Sequence, residues 1–583
     1  MRRALAFALL AAGCSGGAAA GGRVFAPEWQ NDAGKSIQAV YARVHTAPIA
    51  AGPGVAVGVT QQGLSGIGLD GSGKWTFAGE VDAAPALSGD VVVATTKGNV
   101  VALSAKTGKQ LWRVSSEGKS LRGAGDDGKV TVVSLGEPGG GGSLLLAVSR
   151  SGSVLQKLAP EPEIGSPAVE GNVAFVPWGS QYVSAIDLDS GKEIGRLLLR
   201  EQVSHAVNID GQLYFGELSL VRFDDKIGNA AQNGATSISL PARELPGKPA
   251  WFDDGATVEP AAATARERIR LYATPGEGGI SGDVFAATYF KVAMGLGAKD
   301  AKLHWVKTTG KDVVGGAAMR GGFALCTESG KVLLVGDNGG DAGSVDLGGP
   351  LLGCVVRGGA FAVSGAKDPP PLADQIAQAV ELPEAQMVVA QRFLLRELGA
   401  MEDPKVTKVL IDLAENARTP PMLLEDARKL LASRRNGADY MIAALAKHYD
   451  FLSDVLRPPP VGPMADALAA MDDKRAAPLL ARHLNDPANT PDDIQRAARA
   501  LEKLATPAQV EDLKTFFALY RATADRPELV SAVLSVARAL MRVGGEEAKS
   551  MVARAASDPL THPDIKAGLA ALVPAQKPAA KPG

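Results

Sequence analysis

Residues 80–113 alternate short apolar runs with turn residues. Ala84 to Ser88 is a short first strand that ends in the turn Ser88-Gly89-Asp90. Asp90 to Thr95 is apolar and β-branched, and Lys97-Gly98-Asn99 is the next turn. Val100 to Ser104 leads through Lys106-Thr107-Gly108-Lys109 into Gln110 to Val114, which contains Trp112. Short strands joined by Gly, Asn and Asp turns predict one four-stranded antiparallel sheet. Such a sheet is marginal alone and needs neighbours on its faces.

The same pattern recurs along the chain. Trp29, Trp75, Trp112, Trp251 and Trp305 sit in similar strand contexts. They mark the end of a unit of about forty residues, the period of a propeller or solenoid. Units are expected at 36–78, 80–114, 119–157, 162–198, 202–248, 249–308 and 311–347, with half a unit at 350–365. The missing outer strand is expected at Val24 to Asn31, which would join the two ends of the ring and leave only short edges. This predicts an eight-bladed β-propeller, with seven blades as the alternative. Residues 225–248 are irregular, and 253–282 look like an inserted loop.

After Asp368-Pro369-Pro370-Pro371 the apolar spacing becomes helical. Helices are predicted at 372–382, 384–399, 404–416, 421–433, 437–452, 463–471, 474–484, 491–503, 507–522, 527–542, 545–556 and 562–572. Asn489-Thr490-Pro491-Asp492-Asp493 and Ala505-Thr506-Pro507-Ala508 are helix-start signals. Short Pro-containing connections suggest paired helices. Lys474 to Leu513, with Leu479-Leu480 and Asp486-Pro487, resembles a HEAT-type unit. The alternative is a simple helical bundle. The expected plan is therefore a multidomain β plus α protein. It has a propeller over 24–366, a Pro-rich linker over 367–371, a HEAT-like array over 372–574 and a disordered tail over 575–583.

Composition agrees with this division. The chain has 583 residues, a net charge of −2, 68 glycines and 5% aromatics, which suits a turn-rich β protein and gives no reason to expect nucleic-acid binding. Met1-Arg2-Arg3, the apolar run Ala4 to Ala12 and the small residues before Cys14 form a targeting segment too short to span a bilayer. Its end resembles a bacterial lipoprotein box, with Ala11 where that box prefers Leu. The resemblance implies a signal peptide over 1–13, acylation of Cys14 and a flexible tether over 14–23. An ordinary secretory signal with a chance Cys is the alternative. Cys326 and Cys354 lie in neighbouring repeats and form either a disulfide or two buried thiols.

Familiar catalytic and metal motifs do not emerge. The six His residues lack metal-ligand spacing. Asp187-Leu188-Asp189-Ser190-Gly191 starts like a calcium loop, but Leu198 stands where its bidentate acid belongs, so a turn is expected. Pro138-Gly139-Gly140-Gly141-Gly142 lacks the Lys and helix of a phosphate loop, and no Gly-x-Ser-x-Gly elbow occurs.

The blade sequence resembles the pyrroloquinoline-quinone-like propeller repeat. Quinone dehydrogenases of that superfamily carry a vicinal Cys pair, which this chain lacks. The segment Trp29-Gln30-Asn31-Asp32-Ala33-Gly34-Lys35-Ser36-Ile37, followed by Val40-Tyr41-Ala42-Arg43-Val44-His45, resembles the BamB-type propeller lipoproteins of outer-membrane β-barrel assembly. That resemblance covers roughly 24–366 and implies a non-catalytic, cofactor-free accessory at the periplasmic face, more consistent with the outer membrane than the inner. It also implies protein partners, among them the central β-barrel assembly protein and unfolded outer-membrane proteins.

The family contacts its partner through a Leu/Arg loop and acids on the next blade. Ser120-Leu121-Arg122-Gly123 resembles the Leu/Arg motif, and Glu161 and Glu163 follow without the family's acid spacing. Glu80-Val81-Asp82 has that spacing but precedes the Arg. A solvated loop charge is the other reading of Arg122. The helical domain departs from the family, which ends after its propeller. A general protein-interaction lipoprotein, with specificity in the helices, is therefore the alternative function, and a quinone-dependent dehydrogenase the third.

Overall fold

The computed structural model describes residues 54–137, 141–198, 203–209, 212–216, 220–223, 265–269, 277–281, 284–297, 302–357, 361–447 and 457–572. Cys14, the expected signal and tether, the Val24 to Asn31 strand, the segment 29–45, Trp251, the irregular stretch 225–248 and the tail 575–583 lie outside these residues.

Seven four-stranded antiparallel sheets form the first unit among the described residues. The opening stretch of the sequence analysis is the second sheet, with strands Ala86–Ser88, Val91–Thr96, Asn99–Ser104 and Gln110–Ser115. Its strand Val91–Thr96 is buried at every position. Two-sided burial explains why the apolar runs are continuous rather than alternating. One face, through Val91, Val93 and Trp112, meets Leu121, Val133 and Leu144 of the third sheet. The other, through Val92, Ala94 and Leu103, meets Val57 and Trp75 of the first. Similar cores join the third and fourth, fourth and fifth, sixth and seventh, and seventh and first sheets. Successive sheets packed face to face, with the seventh set against the first, are the arrangement of a propeller.

Tryptophans bind successive sheets. Trp305, in the outer strand Leu303–Thr308 of the sixth sheet, is fully buried and donates its Nε1–H to the Asp337 carbonyl of the seventh at 2.9 Å. Two glycines make room for its indole. A Cβ on Gly295 would overlap the ring, and one on Gly339, whose φ is +84°, would come within 2.5 Å of Cγ. Trp75 likewise donates to the Ala105 carbonyl at 2.8 Å. In the third sheet Gln156 takes this place, donating to the Asp189 carbonyl at 3.1 Å. The repeat therefore survives where its Trp is lost.

The two ends of the propeller sequence meet, but through other strands than expected. Gly353–Arg357 pairs antiparallel with Val55–Thr60, giving the first sheet the order Gly353–Arg357, Val55–Thr60, Gly63–Gly68, Trp75–Ala78. The half unit at 350–365 thus completes the first sheet instead of starting an eighth. Val55–Thr60 is an apolar strand that needs a partner on both edges, and Gly353–Arg357 supplies the inner one.

A second correction concerns the fifth sheet. Its outer strand is Ala265–Ile269, paired with Leu220–Phe223, so its third and fourth strands are far apart in sequence. The sixth sheet begins only at Glu277–Ser281. The long connection hid the period, which is why 253–282 looked like one inserted loop.

The chain divides into two compact units after Leu372. The second holds twelve α-helices among the described residues: α1 (Leu372–Val380), α2 (Val388–Ala400), α3 (Lys405–Glu415), α4 (Pro421–Ser433), α5 (Ala438–Leu445), α6 (Val461–Met471), α7 (Ala477–Leu484), α8 (Pro491–Leu504), α9 (Val510–Tyr520), α10 (Pro527–Val543), α11 (Gly545–Ser557) and α12 (Pro563–Leu572). Helices α2, α4, α6, α8, α10 and α12 pack in succession as one layer, and α3, α5, α7 and α9 as a second. This is a stack of helical hairpins, the HEAT-like plan. None of these helices is long and apolar enough to cross a membrane.

Cations close helix ends along the first layer. Arg434 Nη1 donates to the Gly399 and Met401 carbonyls after α2 at 3.2 and 2.7 Å. Lys503 Nζ donates to the Ala469 carbonyl of α6 at 2.8 Å, and Arg542 Nε to the Glu502 carbonyl of α8 at 2.7 Å. Each cation satisfies carbonyls that a helix end leaves open and favours the negative end of its dipole.

Candidate functional site

Arg122 lies on Ser120–Asp126, the inner strand of the third sheet, not on a loop between blades. Pairing with Val130–Gly136 runs Leu121 to Leu135 and then Gly123 to Ser134, so Arg122 is an extra, unpaired residue. Such a bulge turns a side chain out of the ladder. The loop reading rested on the resemblance to the family's Leu/Arg motif, and the structure places these residues on a strand.

The bulge separates the two residues of the expected motif. Leu121 is buried with Trp112, Leu135 and Leu144 between the second and third sheets. Arg122 is exposed. Its Nη1 meets Glu163 Oε1 at 2.9 Å, and Nη2 donates to the Glu137 carbonyl at 3.3 Å. Gly136 makes room for the guanidinium, since a Cβ there would lie 2.5 Å from Nε. Glu163 is placed by the next residue, Ile164, which bridges to Trp178 of the fourth sheet.

The neighbouring groups alternate in charge. Lys119 Nζ meets Glu137 Oε1 at 2.9 Å and donates to the Gly142 carbonyl at 2.9 Å. On the other side Asp82 accepts a hydrogen bond from Thr95, whose Oγ1 also accepts the Leu121 N–H at 3.4 Å. Asp82, Arg122 and Glu163 thus come from three successive sheets. Glu161 is exposed beside this rim. The Arg122 and Glu163 side chains are 34% and 61% exposed, so their attraction contributes only about 0–1 kcal/mol. A partner's carboxylate could replace Glu163 on Arg122 at little cost.

At the opposite end of the same strand lies a second charged group that sequence reading missed. Asp126 is buried, with Oδ1 accepting from Thr131 Oγ1 at 2.8 Å and Oδ2 from the Gly128 N–H at 3.0 Å. Arg150 reaches both Asp126, at 3.4 Å, and Asp90. Burial raises the Asp126 carboxyl above its ordinary value, against the lowering effects of the Thr131 hydroxyl and the Arg150 charge. Burial also lowers Arg357, on the closing strand, while Asp90 and Asp126 pull it the other way. The acids and cations were visible in the sequence, but only the ring brings residues 90, 126, 150 and 357 together.

A pH effect follows from Asp126. Between the ordinary carboxyl value and the raised one, the folded protein holds a proton that the unfolded chain has released. Stability from this group is therefore present at acid pH and is lost as pH rises through the raised value. Asp126→Asn is expected to remove that part of the slope, measured by denaturant unfolding at a series of pH values. An unchanged slope would contradict the assignment.

The sheets define the class: a β-propeller, followed in sequence by an array of helical hairpins. Residues 26–210 match the family described as outer membrane protein assembly factor BamB. No curated protein is similar to the chain. Among solved structures, BamB from Moraxella catarrhalis is 14% identical, with 52% of this chain and 94% of that one covered and a TM-score of 0.29. The Myceliophthora thermophila Cps50 (Swd1) β-propeller domain is 12% identical, with 49% and 94% covered and a TM-score of 0.33. The Neurospora crassa Pan2 WD40 domain is 10% identical, with 43% and 74% covered and a TM-score of 0.28.

Proposed function

We propose that this protein is a non-catalytic, lipid-anchored scaffold at the periplasmic face of the outer membrane, an accessory in β-barrel protein assembly. Cys14 carries the anchor, and the propeller rim at Arg122, Glu161 and Glu163 binds partner proteins. The observation that carries this reading is the bulge at Arg122, within the 26–210 match to the assembly-factor family. Among the described residues it presents a guanidinium held by an exposed ion pair and a carbonyl. An Arg that meets a partner carboxylate bidentately in a desolvated patch is a strong interface anchor.

Crosslinking in native envelopes tests the proposal. The central β-barrel assembly protein is expected among the captured partners, and Arg122→Glu is expected to remove it while leaving the protein folded. Capture of unrelated partners alone, unchanged by Arg122→Glu, would contradict the assembly role and favour a general interaction lipoprotein.

A further inference from the structure

We propose that the Cys326–Cys354 disulfide is a redox-controlled clasp at the junction where the propeller ring closes. It rests on the strand pairing at that junction and is independent of the partner-binding reading. Cys326 lies in Gly322–Thr327, the second strand of the seventh sheet, and Cys354 in Gly353–Arg357, the inner strand of the first. Their Sγ atoms are 2.13 Å apart and their Cα atoms 6.3 Å, and the two residues are 28 positions apart in sequence. The bond thus joins the seventh sheet to a strand that belongs to the first.

That strand holds the two ends of the ring together. It makes five residue pairings with Val55–Val59, and these are its ladder to the first sheet. Beyond it the chain is pinned again beneath the seventh sheet, where Val363 N–H donates to the Arg320 carbonyl at 2.8 Å and Lys367 N–H to the Asp341 carbonyl at 3.0 Å. With the disulfide intact, Gly353–Arg357 is fixed to the seventh sheet at its second residue as well as through its flanks. It can leave Val55–Thr60 only if the seventh sheet moves with it. Without the bond the five-residue strand can fray alone, which is a smaller and more frequent opening.

The chemistry is thiol–disulfide exchange. A dithiol reductant gives two electrons to the Sγ–Sγ bond, leaving thiols on Cys326 and Cys354 while its own two thiols become a disulfide. Reoxidation runs the same exchange in reverse with a disulfide as acceptor. Cys326 and Cys354 are 0% and 8% exposed, so a reductant must wait for the closing strand to open. The clasp therefore protects itself once the ring has closed.

Hydrogen exchange read by mass spectrometry on the full chain tests the clasp, comparing oxidised protein, protein held in excess dithiothreitol and Cys354→Ala. Amides of 353–357 and 55–59 are expected to exchange on the order of a hundredfold faster in the reduced protein and in Cys354→Ala. Amides of 130–136 and 173–178 are expected to keep their rates, and Cys354→Ala to ignore the reductant. Equal exchange at 353–357 in oxidised and reduced protein would overturn the proposal. So would a uniform rise across all sheets, or alkylation of both cysteines in denatured, unreduced protein prepared from an oxidising compartment.

Discussion

Trp305→Ala is expected to destabilise the propeller by about 3–5 kcal/mol, the range for deleting a buried aromatic side chain. The indole is fully buried between the sixth and seventh sheets, with its ring centroid 5.9 Å from that of Phe323. Gly295 and Gly339 lie against the ring and offer no side chain to fill the space it would vacate. Collapse is therefore limited, and the cavity term stays large. The Asp337 carbonyl also loses its donor. Trp305→Phe should lose less, because it keeps most of the apolar contact and loses the hydrogen bond. Denaturant unfolding followed by far-ultraviolet circular dichroism measures both. A loss below about 1 kcal/mol in the Ala variant would show that the junction does not depend on this side chain.

Asp493→Ala is expected to destabilise the helical array by about 3 kcal/mol or more. Asp493, in the first turn of α8, is buried and ties together three elements. One oxygen accepts from Arg428 of α4 at 2.6 Å and from the Gly462 N–H in the first turn of α6 at 2.8 Å. The other accepts from Thr490 Oγ1 at 2.7 Å. Gly462 permits this approach, since a Cβ there would lie 2.7 Å from the carboxylate. Removing Asp493 leaves a mostly buried guanidinium and an open helix N-terminus without their acceptor, the costly half of breaking a buried pair. Asp493→Asn retains an acceptor and should recover part of the loss. Thermal unfolding of the array reads the difference, and an Ala variant as stable as Asn would refute the network's role.

The repeat and the helices were legible because local physics fixes them. Val91–Thr96 and its turns announce a strand wherever they stand, and Thr490-Pro491 announces a helix start. The pairing of Gly353–Arg357 with Val55–Thr60 was less legible. Many apolar strands can complete one another's edges, and sequence does not say which of two distant candidates does so. Ala265–Ile269 was hidden by the long connection before it.

The candidate site shows the same division. Arg122 and Glu163 were singled out from residue type and a family resemblance, and the structure brings them within 2.9 Å. The burial of Leu121 was not legible, because burial on a bulged strand depends on which residue is the extra one. Gly136 under the guanidinium carried no sequence signal, one glycine among 68. The cluster around Asp126 needed the ring itself.

Binding of the purified protein to the central β-barrel assembly protein of the same organism tests the central claim most directly. The account predicts a saturable complex that Arg122→Glu weakens more than about tenfold, since the new carboxylate faces Glu163 and repels an acidic partner. Wild-type protein that does not bind, or binding that Arg122→Glu leaves unchanged, would contradict it.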